Sequence, residues 1–182
     1  MTRFVMFLAA ALALPVGAQA ADAFKVDSVH SQVLFTTSYF GHSNFTGRFN
    51  GFSGTVTEGE SAQFEIDIAS VDTNMAKRDG HLQSPDFFNA KQFPKASFKS
   101  KAWNSTGANT WDVTGDFTLR GKTVEVVAKV TKVGAGKDPK GRDRIGYDAV
   151  FTIDRHQFGI DYGKGGLGAN VEIRIQTSTV KG

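Results

Sequence analysis

Arg78, Asp79 and His81, with Ser84 three residues on, form the one compact polar cluster of the 182-residue sequence. Three chemistries are open to it. An arginine near a helix terminus can hold a phosphate or carboxylate head group through charge-assisted hydrogen bonds. An Asp–His–Ser set can act as base and nucleophile. The plainest use is structural, with Arg78 and Asp79 paired to neighbouring strands so as to fix the segment that carries them. Spacing disfavours catalysis: Asp79 and His81 are two residues apart, and on a helix such side chains do not face each other. A structural role is the first expectation and a ligand-head site the second, and no catalytic residue is assigned.

Other reactive types are sparse. His30, His42, His81 and His156 are the four histidines, and none has a partner at i+4, so the helical zinc signature is missing. There is no cysteine, which excludes disulfides, a thiol nucleophile, thiolate metal sites and covalent haem attachment. No metal and no cofactor are therefore expected. Gly163-Lys164-Gly165-Gly166-Leu167-Gly168 superficially suggests a phosphate loop. It lies between strand-like segments with no following helix, so a hairpin turn is the better reading. Lys132, Lys137, Lys140, Arg142 and Arg144 surround Asp138 and Asp143. A solvated hairpin tip is expected there, with weak, salt-sensitive attraction to anionic lipid surfaces as the alternative. The formal charge of +3 is too small for a dedicated nucleic-acid binder.

The first twenty residues read as an export leader. Arg3 precedes an apolar run from Phe4 to Leu14, Pro15 and Gly17 end it, and Ala18-Gln19-Ala20 forms an A-x-A cleavage site. Such a run is too short to span a bilayer, which takes about 20 residues. The expectation is a signal peptide over 1–20 and a single periplasmic domain over 21–182, with no integral membrane segment in the mature chain.

Period-two alternation dictates what positions the polar cluster. Phe64, Ile66 and Ile68 alternate with Gln63, Glu65 and Asp67; Val113, Phe117 and Leu119 with Thr114, Asp116 and Thr118; Val171, Ile173 and Ile175 with Glu172, Arg174 and Gln176. Side chains along a strand switch faces at each residue, so each segment has one buried and one wet face. The main strands are expected at 24–28 (or only a lead-in there), 31–40, 45–57, 62–70, 96–104, 109–120, 122–133, 143–157 and 170–180, about eight in all. Glycine-rich connections at 134–136 and 163–168 should separate several of them. The apolar parity changes beside Gly51, which predicts a bulge or bend. Residues 72–90 lack alternation. Asp72, Thr73 or Asn74 is expected to cap one short helix, and Ser84-Pro85 to open a second. The fold class is all-β, an eight-stranded antiparallel barrel with a short helical insert at about 73–90.

An eight-stranded barrel is just wide enough to be filled by side chains or to hold one small ligand. Phenylalanine, at 16 residues, decides between these outcomes by how it packs. Phe35, Phe64, Ile66, Phe98, Phe117 and Phe151 are expected to face inward, with Phe40, Phe45, Phe87 and Phe88 near the rims. A solid aromatic core is the default; an aromatic-lined cavity would select a lipid-like guest. A tail of about ten carbons gains about 8 kcal/mol, which merely offsets a mid-range association cost of about 4–15 kcal/mol. A useful ligand needs a longer chain or a fixed head.

The sequence also resembles the YceI-like family of exported bacterial proteins. The resemblance rests on FKVDSVHSQVLF (24–35), GHSNFTGRFNGFSGTV (41–56), ASVDTNMAKRDGHLQSPDFFNAKQFPKASFKS (69–100), VTGDFTLRGKTVEV (113–126), RIGYDAVFTIDRHQFGIDYG (144–163) and VEIRI (171–175). It covers nearly all of 24–180, and the block from Arg78 to Phe88 is its most specific part. It implies a lipocalin-like barrel with an apolar tunnel that binds a polyisoprenoid or a similar long-chain amphiphile without catalysis. The ten apolar residues above would then line the tunnel, and Arg78, Asp79 and His81 would serve the ligand head or the structure. The glycine-rich loop at 165–170 departs from many relatives, which look longer and carry an acidic residue there; that would alter one tunnel mouth. Two other readings remain, an enzyme acting on a hydrophobic substrate and a filled-core stress-protection or interaction module. A homodimer through lateral strand contacts is compatible with the sequence.

Overall fold

Alternating residues become one continuous antiparallel sheet in the computed structural model, which describes residues 21–182; the expected leader lies outside the described residues. The strands are β1 (Ala23–Val26), β2 (Gln32–Tyr39), β3 (Ser43–Phe49), β4 (Phe52–Thr57), β5 (Ser61–Asp67), β6 (Val71–Asp72), β7 (Lys95–Gly107), β8 (Thr110–Leu119), β9 (Lys122–Lys137), β10 (Asp143–Asp154) and β11 (Leu167–Lys181). One helix, α1 (Ala76–Gln83), follows β6.

Eight of these strands close a circuit, β1-β4-β5-β7-β8-β9-β10-β11, with β11 returning to β1. Closure removes the edge strands that would otherwise expose unpaired backbone groups. The long β11 serves two neighbours on one edge: Thr179 to Lys181 pair with β1, and Leu167 to Gln176 pair with β2. Strand β2 continues to β3, and β3 to the short β6. In effect β1 with β2, β3 with β4, and β5 with β6 are three bent strands. The expected bend at Gly51 is the joint between β3 and β4. There the Gly51 carbonyl accepts from Asp67 N–H at 2.8 Å, and Asn50 N–H donates to the Ser70 carbonyl at 3.1 Å.

Three local expectations are corrected. The stretch at 134–136 is not a connection: Gly134, Ala135 and Gly136 lie within β9 opposite Gly146, Ile145 and Arg144. The turn falls beyond them, where Asp138 accepts from the backbone of Lys140 and Arg142. The second helix does not form. After α1 the chain makes successive turns from Pro85 to Phe88. Phe88 N–H bonds back to the Leu82 carbonyl, and Asn89 adopts φ of 51°, a left-handed conformation that breaks a helix and that asparagine tolerates. Phe87, within this turn, is buried. Finally, Met75 stands at the helix N-cap without a side-chain bond. Asp79 instead reaches back to Thr73, accepting from its backbone N–H at 2.8 Å and its hydroxyl at 2.5 Å.

Candidate functional site

The barrel interior divides into a filled end and a hollow end. At the filled end rings meet across the lumen: Phe98 and Phe151 have centroids 6.2 Å apart, Phe117 and Phe151 5.3 Å. Phe64, Phe98 and Phe117 form one cross-strand row over β5, β7 and β8. Beyond it, buried Tyr147 donates its hydroxyl to Glu58 at 2.7 Å, and Lys132 Nζ lies 2.9 Å from the same carboxylate. Burial, reinforced by Glu58, pushes the Tyr147 phenol far above its ordinary pKa, so it remains a donor.

At the hollow end the rings lie against the wall. Phe35 on β2 stands directly opposite Gly47 on β3, and a Cβ at Gly47 would collide with its ring. The missing side chain gives the ring a seat on the strand instead of in the lumen. Phe49 and Phe88 continue this layer, with centroids 5.4 and 6.4 Å from Phe35. The result is a cavity of about 600 Å³. Its wall includes Phe35, Phe45, Leu82, Phe87 and Phe88 together with Ile66, Ala96, Phe117, Ile153 and Ile173. Tyr39, Phe40 and Tyr162 border it too and are 46%, 61% and 51% exposed; they mark its mouth.

The charge on this wall has one sign. Among the described residues that line the cavity, Arg78 and Arg155 are the charged ones, His81 is titratable, and there is no Asp or Glu. Arg78 donates Nε to the Thr73 hydroxyl at 2.8 Å and Nη2 to the Thr73 carbonyl at 2.6 Å. Its guanidinium carbon lies 4.5 Å from the Phe45 ring centroid, a cation–π contact. Arg155 is only 5% exposed. It donates to four carbonyls, Gly168 at 2.9 Å, Ile160 at 2.7 Å, Tyr162 at 2.8 Å and Leu167 at 3.2 Å. Burial lowers its pKa, opposed by Asp161 and Asp154; a guanidinium nevertheless stays charged in proteins. Arg155 thus ties the 160–168 loop to the barrel and leaves its positive charge without a directly bonded carboxylate.

Of the residues expected from sequence, Phe35, Phe40, Phe45, Ile66, Phe87, Phe88, Phe117, Arg78 and His81 border the cavity. Phe64, Phe98 and Phe151 do not; they build the filled end below it. Asp79 faces Thr73 and holds the start of α1. No Asp79–His81–Ser84 set is assembled. His81 Nε2 pairs with Asp86 at 2.9 Å and packs edge-on to Phe87 and Tyr162, while the Ser84 hydroxyl accepts from Asp86 N–H. The basic cluster at the β9–β10 tip is internally paired: Arg142 and Arg144 bind Asp138, Lys137 binds Asp143, and Arg144 also binds Asp27. Sequence reasoning missed Arg155. In the expected strand 143–157 it shares parity with inward-facing Phe151 and Ile153, but β10 ends at Asp154 and Arg155 opens a short 3-10 helix, Arg155–Phe158, in which Arg155 and Phe158 are buried.

A model of the YceI-like domain matches residues 24–179. The chain belongs to the YceI-like domain family. A UPF0312 protein of Vibrio parahaemolyticus is 36% identical over 95% of both chains, and one of Pseudomonas putida is 38% identical over 92% of this chain and 91% of its own. Among solved structures, Burkholderia cenocepacia BcnA superposes with a TM-score of 0.75 at 28% identity, covering 84% of this chain and 98% of BcnA. A Saccharophagus degradans domain described as polyisoprenoid binding and implicated in plant cell wall breakdown has a TM-score of 0.73 at 17% identity, covering 89% and 99%; that likeness concerns the fold. Among the described residues no helix is long and apolar enough to cross a membrane.

Proposed function

We propose that this protein is an exported carrier, store or scavenger that holds the tail of a polyisoprenoid or a similar long-chain amphiphile inside its barrel. The observation that carries the reading is the apolar cavity of about 600 Å³, walled by Phe35, Phe45, Ile66 and Ile173, whose charged lining among the described residues is Arg78 and Arg155. Its volume falls within the ~300–1,000 Å³ usual for ligand sites. Hydrocarbon leaving water for this wall gains about 0.8 kcal/mol per CH₂. The two guanidiniums, with no Asp or Glu among the described lining residues, favour a head that accepts hydrogen bonds, such as a phosphate, a carboxylate or a carbonyl. The same void weighs against a filled-core module. The A-x-A leader supports a periplasmic location, and the solved domain described as polyisoprenoid binding shares the architecture.

The test is native mass spectrometry of the protein purified from its producing cells, then titration of the delipidated protein with polyprenyl lipids. A co-purified amphiphile, or stoichiometric uptake of an added one, is expected. Protein that emerges without lipid and takes up none overturns the reading.

A further inference from the structure

We infer that the aromatic row at the middle of the barrel is a ruler that sets the length of the bound chain at about four isoprene units; this rests on the carrier reading above. Strands such as β9 and β11, of 16 and 15 residues, rise about 3.3 Å per residue. A barrel hollow along that whole length would swallow a much longer lipid. Here the lumen is not hollow throughout. Phe117 lines the cavity, whereas Phe151, its ring centroid 5.3 Å from that of Phe117, and Phe98, 6.2 Å from Phe151, do not. The three rings are 3%, 5% and 9% exposed, and together they stop the cavity.

Their position is locked by the backbone. A Cβ at Gly115 on β8 would collide with the Phe98 ring, and one at Gly54 on β4 with the Phe64 ring. Each ring is therefore seated on the neighbouring strand. A tail can advance only to Phe117. A void of about 600 Å³, at about 30 Å³ per water- or methylene-sized group, holds about 20 carbons. Carbons beyond that must leave through the mouth between Phe40 and Tyr162, where they return to water and add no affinity.

The experiment is a competition titration of the delipidated full mature chain with geraniol, farnesol, geranylgeraniol, geranylfarnesol and octaprenol, against a fluorescent long-chain probe. In the wild type each added unit up to geranylgeraniol should tighten binding at least about tenfold. Octaprenol should then bind within about threefold of geranylgeraniol. Phe117→Ala removes a six-carbon ring, about one isoprene unit of volume, and should move the break from geranylgeraniol to geranylfarnesol. Ala96→Leu adds bulk at the cavity wall and should move the break back to farnesol. This second variant keeps the test decisive if Phe117→Ala fails to fold. Octaprenol binding the wild type about tenfold tighter than geranylgeraniol, or a break unmoved by a folded variant, overturns the ruler and leaves the carrier reading standing. Absence of binding by every chain overturns both.

Discussion

The two ends of this barrel use the same residue to opposite effect. At the filled end, Phe98, Phe117 and Phe151 pack ring to ring, and the Tyr147–Glu58–Lys132 group closes the lumen below them. At the hollow end, Phe35 lies against Gly47 and Phe45 beneath the Arg78 guanidinium, leaving a void between them. The number of phenylalanines does not decide whether a barrel is solid. Glycine seats occur at both ends, under Phe35 at Gly47 and under Phe98 at Gly115; what decides it is whether the rings meet across the lumen, as Phe117 and Phe151 do, or gather on one wall, as Phe35, Phe49 and Phe88 do. The charges follow the same division. The filled end neutralises its lysine with a carboxylate, whereas the hollow end presents two guanidiniums and, among the described residues, no carboxylate on its wall.

Removing a ring from each end should break this symmetry of composition most visibly. Phe151→Ala leaves a new hole among rings that fill space, and the expected cost is about 3–5 kcal/mol of stability in urea unfolding. Phe45→Ala enlarges a void that already exists and loses one cation–π contact, so about 1–2 kcal/mol is expected. Equal losses would mean that the ends are packed alike. A smaller effect is expected from Gly47→Ala. The new methyl group drives the Phe35 ring into the cavity, costing about 1–3 kcal/mol from overpacking and about tenfold in lipid affinity. If affinity is unchanged, the Gly47 seat does not create the cavity.

The smallest effect is electrostatic and confined to the filled side. Arg144, with help from His30, holds the Asp27 carboxyl at a pKa of about 2. An unfolded aspartate titrates near 3.9. The depressed value therefore stabilises the fold fully above about pH 4, and that contribution is lost as pH falls towards about 2. Acid unfolding followed by the fluorescence of Trp103 and Trp111 should lose part of its dependence in this window in Asp27→Asn. Lipid uptake at neutral pH should be untouched, because Asp27 does not border the cavity. An acid limb identical to that of wild type would show that this ion pair does not contribute.

The barrel was legible in the sequence because alternation reports directly on burial: Phe64, Phe98, Phe117 and Phe151 all face the interior as their parity requires. The bend at Gly51 was legible for the same reason, since a shift of parity is a change of face. What alternation cannot report is depth along the barrel axis. Phe35 and Phe151 carry the same inward signal, yet one borders the void and the other plugs it. That difference depends on Gly47 and on ring-to-ring contacts between strands far apart in sequence. The turns after α1 are not legible because Ser84-Pro85 is a good helix start locally, while the Phe88-to-Leu82 backbone bond and the left-handed Asn89 turn the chain instead. Arg155 was overlooked although its parity pointed inward. A buried arginine contradicts the usual expectation of an apolar inner face, and two of its carbonyl partners, Ile160 and Tyr162, lie in a loop that shows no periodicity, while Leu167 and Gly168 open β11.

The central claim is that one half of the barrel is open to a hydrocarbon chain and the other half is closed by phenylalanine rings. A crystal structure of the delipidated protein soaked with geranylgeraniol tests it most directly. Continuous density is expected from the mouth at Phe40 and Tyr162 down to the Phe117 ring, with the head beside Arg78 or Arg155 and nothing beyond Phe151. Density running past Phe151, or the Phe35 and Phe88 rings swung inward to fill the space with the lipid left outside, would contradict the account.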